Sequence, residues 1–126
     1  MAERGRLVFD ASALLAFIQG EDGADEVERS LGPESAVSAA NWSETAQWVL
    51  AHARDWSVAS ALLRSYGLTI EPVTVTDAES AARRWTRGGG LSLGDRLCLA
   101  LGDRLDAVVV TADRHWGAGG RICQIR

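Results

Sequence analysis

The sequence predicts a single parallel α/β domain, with a central sheet and helices packed on both of its faces. Three observations carry that prediction. Two short apolar runs, Leu7-Val8-Phe9 and Ala107-Val108-Val109-Val110, read as strands buried on both faces, and an aspartate follows each. Runs of helical period alternate with short β-branched runs along the chain, as they do in βαβ units. No linker, internal repeat or low-complexity segment divides residues 1–126, and a hydrophobic content of 47% is enough for one real core.

Taken in order, the first strand ends at Asp10, and Ala11–Gln19 is an apolar helix stopped at Gly20 by a C′ glycine. Residues 21–31 place Ala24, Val27 and Leu31 on one helical face before Gly32-Pro33 stops them. Ser35–Ser38 reads as a short strand. Residues 41–53 form a helix with Trp42, Ala46, Val49, Leu50 and Ala53 on one face, and Asn41 and Glu44 have the spacing of a capping box. Another helix covers 57–66 and closes at Gly67. The run 69–73 reads as an edge strand, because Pro72 cannot donate in a central ladder. Thr76 and Glu79 predict a second capped helix, with Ala78, Ala81, Ala82 and Trp85 on one side. Arg87-Gly88-Gly89-Gly90 is expected to be a mobile loop. Ser92 then caps Leu93–Leu105, with Leu93, Leu97, Ala100 and Leu101 turned inward. The Val108 strand, a turn over 112–120 and a last strand at 121–125 complete the fold.

Composition narrows the function. The net charge is −4, from 17 acidic residues and 13 arginines with no lysine, which argues against diffuse, sequence-blind nucleic-acid binding. No phosphate-loop motif is present, and without lysine neither a nucleotide triphosphatase nor a phosphoaspartate receiver fits. Nothing from Met1 to Arg6 resembles a signal peptide and no apolar run spans a membrane, so a soluble, cytoplasmic protein is expected. Cys98 and Cys123 lack metal-ligand spacing and read as buried thiols rather than a disulfide. His52 and His115 read as structural or exposed.

Four acids occupy equivalent places. Asp10 and Asp113 follow central strands, while Glu44 and Asp95 fall in the first turns of helices. Each alone has a local explanation as a cap. Together they are expected at the carboxyl edge of one sheet, where open parallel sheets bind ligands. Two such charges about 4 Å apart repel by roughly 4 kcal/mol at an effective dielectric near 20, so a shared site calls for a cation. All-oxygen ligands with room for water suit Mg²⁺ or Mn²⁺. With those four set aside, 13 acids remain against 13 arginines. Ions held in this way activate water and stabilise the charge of phosphodiester hydrolysis. Ser12 and Thr111, each two residues from a strand-end carboxylate, have two readings: holding a water on the metal, or capping and strand packing.

Val8-Phe9-Asp10-Ala11-Ser12-Ala13-Leu14 resembles the first motif of the PIN-domain family, and Glu44 fits its second. Leu91-Ser92-Leu93-Gly94-Asp95-Arg96-Leu97-Cys98-Leu99-Ala100 resembles the third motif, and Val110-Thr111-Ala112-Asp113-Arg114-His115-Trp116 the fourth. Order and spacing resemble a small, single-domain VapC-type toxin from Leu7 to the C-terminus. The pattern departs from the family at Arg96, where many members carry a small residue, and this bears on how open the site is. The resemblance implies a PIN-like domain and a metal-dependent endoribonuclease with Asp10, Glu44, Asp95 and Asp113 as catalytic metal ligands. It also implies an antitoxin partner and a homodimer. A PIN nuclease of housekeeping RNA processing, without an antitoxin, is the alternative.

For RNA contact, Arg83, Arg84 and Arg87 beside the glycine loop form one candidate rim, with Arg96 and Arg114 nearer the acids. The same arginines also fit an ordinary solvated helix face. Trp42, Trp48 and Trp56 fit either core packing or a dimer or antitoxin surface, since tryptophan is enriched at interface centres.

Overall fold

The computed structural model describes residues 5–126, so the sequence reading of residues 1–4 lies outside the described residues. β1 (Leu7–Phe9) is the central strand of a five-stranded, all-parallel sheet. β2 (Ser35–Ser38) lies on one side of it and β4 (Val108–Thr111) on the other, with Val8 paired to Ala36 and Val109. β3 (Thr69–Glu71) and β5 (Ile122–Gln124) form the two edges, giving the order β3-β2-β1-β4-β5. α1 (Ala11–Gln19) and α2 (Ala24–Ser30) connect β1 to β2. α3 (Ala39–Ala51) and α4 (Trp56–Ser65) connect β2 to β3, and α5 (Val75–Arg83) and α6 (Leu93–Leu105) connect β3 to β4. A 3-10 turn at Arg114–Trp116 precedes β5.

From β1 the chain first moves outward to β2 and β3, then returns to build β4 and β5 on the opposite side. The strand order therefore reverses between β1 and β4, which opens a crevice at their carboxyl ends. Alternation along β1 supplies both faces of the core. Leu7 and Phe9 pack with Leu14, Val27 and Leu63, and Val8 packs with Cys98, Leu101 and Val109. Fully buried Phe9, Leu14, Leu63 and Leu101 each contribute about 1.5–3 kcal/mol. Among the described residues no helix is long and apolar enough to cross a membrane.

Several local expectations shift. α3 begins at Ala39, because β2 runs into it without a loop and Ser38 caps it by accepting from the Ala40 amide at 3.2 Å. Asn41 and Glu44 are thus inside the helix, and Glu44 is not in its first turn. The buried positions of α3 are Asn41, Thr45 and Val49, while Leu50 is exposed. The second capping box forms at Thr74 and Asp77 rather than at Thr76 and Glu79. That register buries Asp77 against Arg104 (2.9 Å) and leaves Trp85 beyond the helix, 54% exposed. Leu93, the first residue of α6, is 58% exposed, whereas Leu97, Ala100 and Leu101 are buried as expected. Cys98 is buried, but Cys123 on the edge strand is exposed, and both thiols are free. β3 ends at Glu71, one residue short of Pro72, and is an edge as expected.

Candidate active site

Asp10 follows β1 directly and serves as the N-cap of α1, its Oδ1 accepting from the Ala13 amide at 2.8 Å. Ser12 Oγ donates to both carboxylate oxygens (2.8 and 2.9 Å), and the Thr111 hydroxyl donates to Oδ2. The same two hydroxyls accept backbone amides at the end of β4, Ser12 from Ala112 (2.9 Å) and Thr111 from Asp113 (3.0 Å). Ser12 and Thr111 therefore tie the two central strand ends together and fix the Asp10 carboxylate between them. Burial pushes Asp10 up to about 6 despite the hydrogen bonds from Thr111, Ala13 and Ser12, and the Asp95 charge pushes the same way.

The other acids reach the crevice from three elements. Asp95 is the third residue of α6 and closes a capping box, with Ser92 N donating to its Oδ2 at 3.0 Å and its own amide donating to Ser92 Oγ at 3.1 Å. Asp113 caps the 3-10 turn by accepting from the His115 amide at 2.9 Å. Glu44 lies in the second turn of α3 and is held by Asn41, whose Nδ2 donates to Glu44 Oε1 (2.8 Å) and to the Gly94 carbonyl (3.1 Å). Glu44 rests against Gly94, where a Cβ would collide with its carboxylate. Asp10, Ser12, Asn41, Glu44, Asp95 and Asp113 all line one open cleft of about 420 Å³. Beneath it, burial and then the charges of Asp10, Asp95 and Glu44 push the Cys98 thiol well above its usual range.

The acids are spread around the cleft rather than pressed together. Among the described residues no group of three or more His, Cys, Asp or Glu side chains stands in position to hold a metal ion. The donor chemistry nonetheless fits Mg²⁺ or Mn²⁺. Mg²⁺ keeps several waters and uses one or two carboxylates at a time, so it does not need a closed cage. Asn41 Oδ1 is buried without a hydrogen bond, an orphan acceptor among the carboxylates and a partner suited to retained water.

The arginines do not share this cleft. Arg84 pairs with Asp103, and Arg87 lies over the Trp85 ring at 5.7 Å. Arg96 donates to the Ala81 carbonyl at 2.9 Å and so ties α6 to α5, leaving the cleft open beside Asp95. Arg83 and Arg114 are exposed and do not line the cleft. Three further residues shape the cleft in ways that no local sequence signal marks. Asn41 had a cap-like spacing but acts as a clamp between α3 and α6. Trp48 and His52, one helical turn apart on α3, extend the cleft wall as stacked rings 3.8 Å apart. Trp42 and Trp56 instead pack edge-on against each other at 4.8 Å, joining α3 to α4.

A family model described as PIN domain matches residues 7–120. Among curated relatives, Ribonuclease VapC42 of Mycobacterium tuberculosis and VapC ribonuclease Mb2780c of Mycobacterium bovis are each 34% identical over 108 residues. The match covers 75% of this chain and 81% of each relative. In fold, the chain is similar to one from a toxin–antitoxin complex of Klebsiella pneumoniae, with a TM-score of 0.76 and 19% identity, covering 95% of this chain and 98% of that one. It is also similar to VapC20 of Mycobacterium tuberculosis, a sarcin–ricin loop cleaving toxin. There the TM-score is 0.66 at 18% identity, covering 84% of this chain and 87% of the other.

Proposed function

Because the chain belongs to the PIN-domain family, we propose that it is a divalent-metal-dependent endoribonuclease and the toxin of a toxin–antitoxin pair. The single observation that carries the chemistry is the set of four carboxylates lining one cleft at the β1–β4 switch point. In this reading Asp10, Glu44, Asp95 and Asp113 are the residues that would hold Mg²⁺ or Mn²⁺, directly or through retained water. A bound ion would supply charge stabilisation and lower the pKa of the attacking water. The chain's own part is placement. Ser12 and Thr111 fix Asp10, Ser92 fixes Asp95, and Asn41 fixes Glu44. Without a cation the same carboxylates repel a phosphodiester. The names of the curated relatives support ribonuclease activity, and an RNA target fits a cytoplasmic site of action. RNA cleavage should appear with millimolar Mg²⁺ or Mn²⁺ and vanish in excess chelator. Cleavage that persists in chelator would refute the metal requirement.

The partners are an antitoxin and a second copy of the chain. The Klebsiella chain that shares the fold is part of a toxin–antitoxin complex. On α3 and α4, Leu50, Val58 and Leu62 are 61%, 64% and 43% exposed, an apolar set suited to burial in an interface. Sedimentation of the chain alone should give twice the monomer mass, and a heavier species with the product of an adjacent open reading frame. A monomer that ignores that product would refute both partners.

A further inference from the structure

We infer that the Trp48–His52 ring stack on the wall of the acid-lined cleft is a stacking subsite for a base of single-stranded RNA. The inference rests on the ribonuclease reading and deepens it. Glu44, Trp48 and His52 are spaced four residues apart on α3, so they form one stripe along a single helix face. That stripe runs from a carboxylate to two aromatic rings and spans about 12 Å along the axis. The rings are stacked, with centroids 3.8 Å apart and planes 18° from parallel. His52 is held in place by the 2.8 Å contact of its Nδ1 with the Trp48 carbonyl, and it is exposed. Both rings line the same cleft as Asp10, Glu44, Asp95 and Asp113, and the Gln47 amide lies beside them.

An exposed ring already stacked on a second ring is a preformed platform, and a base can add a third layer on the solvent side of His52. Stacking of this kind needs no particular base, because every base presents a π-face. It is also the common way in which proteins hold splayed-out, single-stranded RNA. The Arg54 guanidinium, 5.7 Å from the Trp48 ring centroid, supplies positive charge near this end of the cleft for the backbone of the same nucleotide. Neither Trp48 nor His52 holds up the core. Their position beside the carboxylates, rather than on the Leu50 side of α3, separates this surface from the proposed interface.

The test is binding of a short, mixed-sequence single-stranded RNA to the Asp95→Asn protein with Mg²⁺, followed by fluorescence anisotropy of the labelled RNA. His52→Asn removes the ring but keeps an amide able to donate to the Trp48 carbonyl, and circular dichroism checks its fold. Affinity should fall about 5- to 150-fold, the range for losing one stacked base. His52→Tyr should restore it, whereas His52→Lys, which brings charge without a ring, should not. Unchanged affinity in His52→Asn, rescue by Lys, or absence of RNA binding would each overturn the subsite. So would a defect confined to self-association or antitoxin binding, which would make this wall a protein interface. Cleavage by the parent protein is scored separately. A parent that never cuts RNA but binds it through His52 would remove the nuclease reading and keep the platform.

Discussion

Asp95→Asn should abolish RNA cleavage and leave the protein folded. Asp95 has two roles that this substitution separates. One is local: its Oδ2 accepts the Ser92 amide and completes the capping box of α6. Asparagine keeps an oxygen in that place, so the cap survives at a cost of at most about 1 kcal/mol. The other is the charge that Asp95 brings to the cleft, which adds to the burial that raises Asp10. A metal site that loses a carboxylate loses transition-state stabilisation of several kcal/mol, and each 1.36 kcal/mol is tenfold in rate. Cleavage should therefore drop by about a thousandfold or more. Ser92→Ala is the opposite control, since it weakens the cap by about 1 kcal/mol and keeps the charge. Gel assays of RNA cleavage beside thermal melts in chelator decide the matter. An Asp95→Asn protein that melts normally and cuts at the parent rate would remove Asp95 from the site.

What was legible in the sequence was mostly what is local. The buried strands, Asp10 as the residue that turns β1 into α1, Gly20 as the helix stop (φ 67°) and the Ser92–Asp95 box all depend on neighbours within a few residues. The misread helix starts are instructive because the correct signals were present. Thr74 and Asp77 have the same capping spacing as Thr76 and Glu79, and the register that forms is the one that pairs Asp77 with the distant Arg104. Likewise, Ser38 could be seen as a cap only once β2 was known to pass into α3 without a loop. Gathering the four acids at one edge followed from parallel topology, but their spread around the cleft did not, since it depends on side-chain positions set by distant partners. The Asn41 clamp spans 53 residues to Gly94, and the Arg96 side chain is drawn off the cleft by the carbonyl of Ala81 on another helix. The Trp48–His52 stack depends on where α3 ends, since His52 is its C-cap.

The second large effect is on stability. In metal-free protein, Asp10→Asn should remove a pH dependence that the parent shows, so that the variant gains on the parent as pH rises to neutrality. Burial raises Asp10 to about 6, against about 3.9 for an aspartate in the unfolded chain. Between those values the folded protein holds a proton that the unfolded chain has released. Stability therefore falls as pH rises through this window. The group's contribution is fully favourable below about pH 4 and is lost above about pH 6, a difference of about 3 kcal/mol. Other groups titrate as well. Asp77, although burial raises it, is held below the ordinary carboxylate range by Arg104, and acts in the opposite direction at low pH. The informative quantity is thus the stability difference between parent and variant, in which shared terms cancel. Asparagine keeps an oxygen for the Ala13 amide and carries no charge to bury, and the acceptor it loses opposite the Thr111 hydroxyl is a cost that does not vary with pH. The variant should gain on the parent by about 3 kcal/mol between pH 4 and pH 7.5 in denaturant melts with chelator. Added Mg²⁺ or Mn²⁺ should close that gap from the parent's side, because an ion that binds only the folded parent stabilises it and leaves the variant behind. A difference that stays flat with pH would mean that the Ser12 and Thr111 hydroxyls already offset the burial of the charge, and that Asp10 stays ionised without a cation.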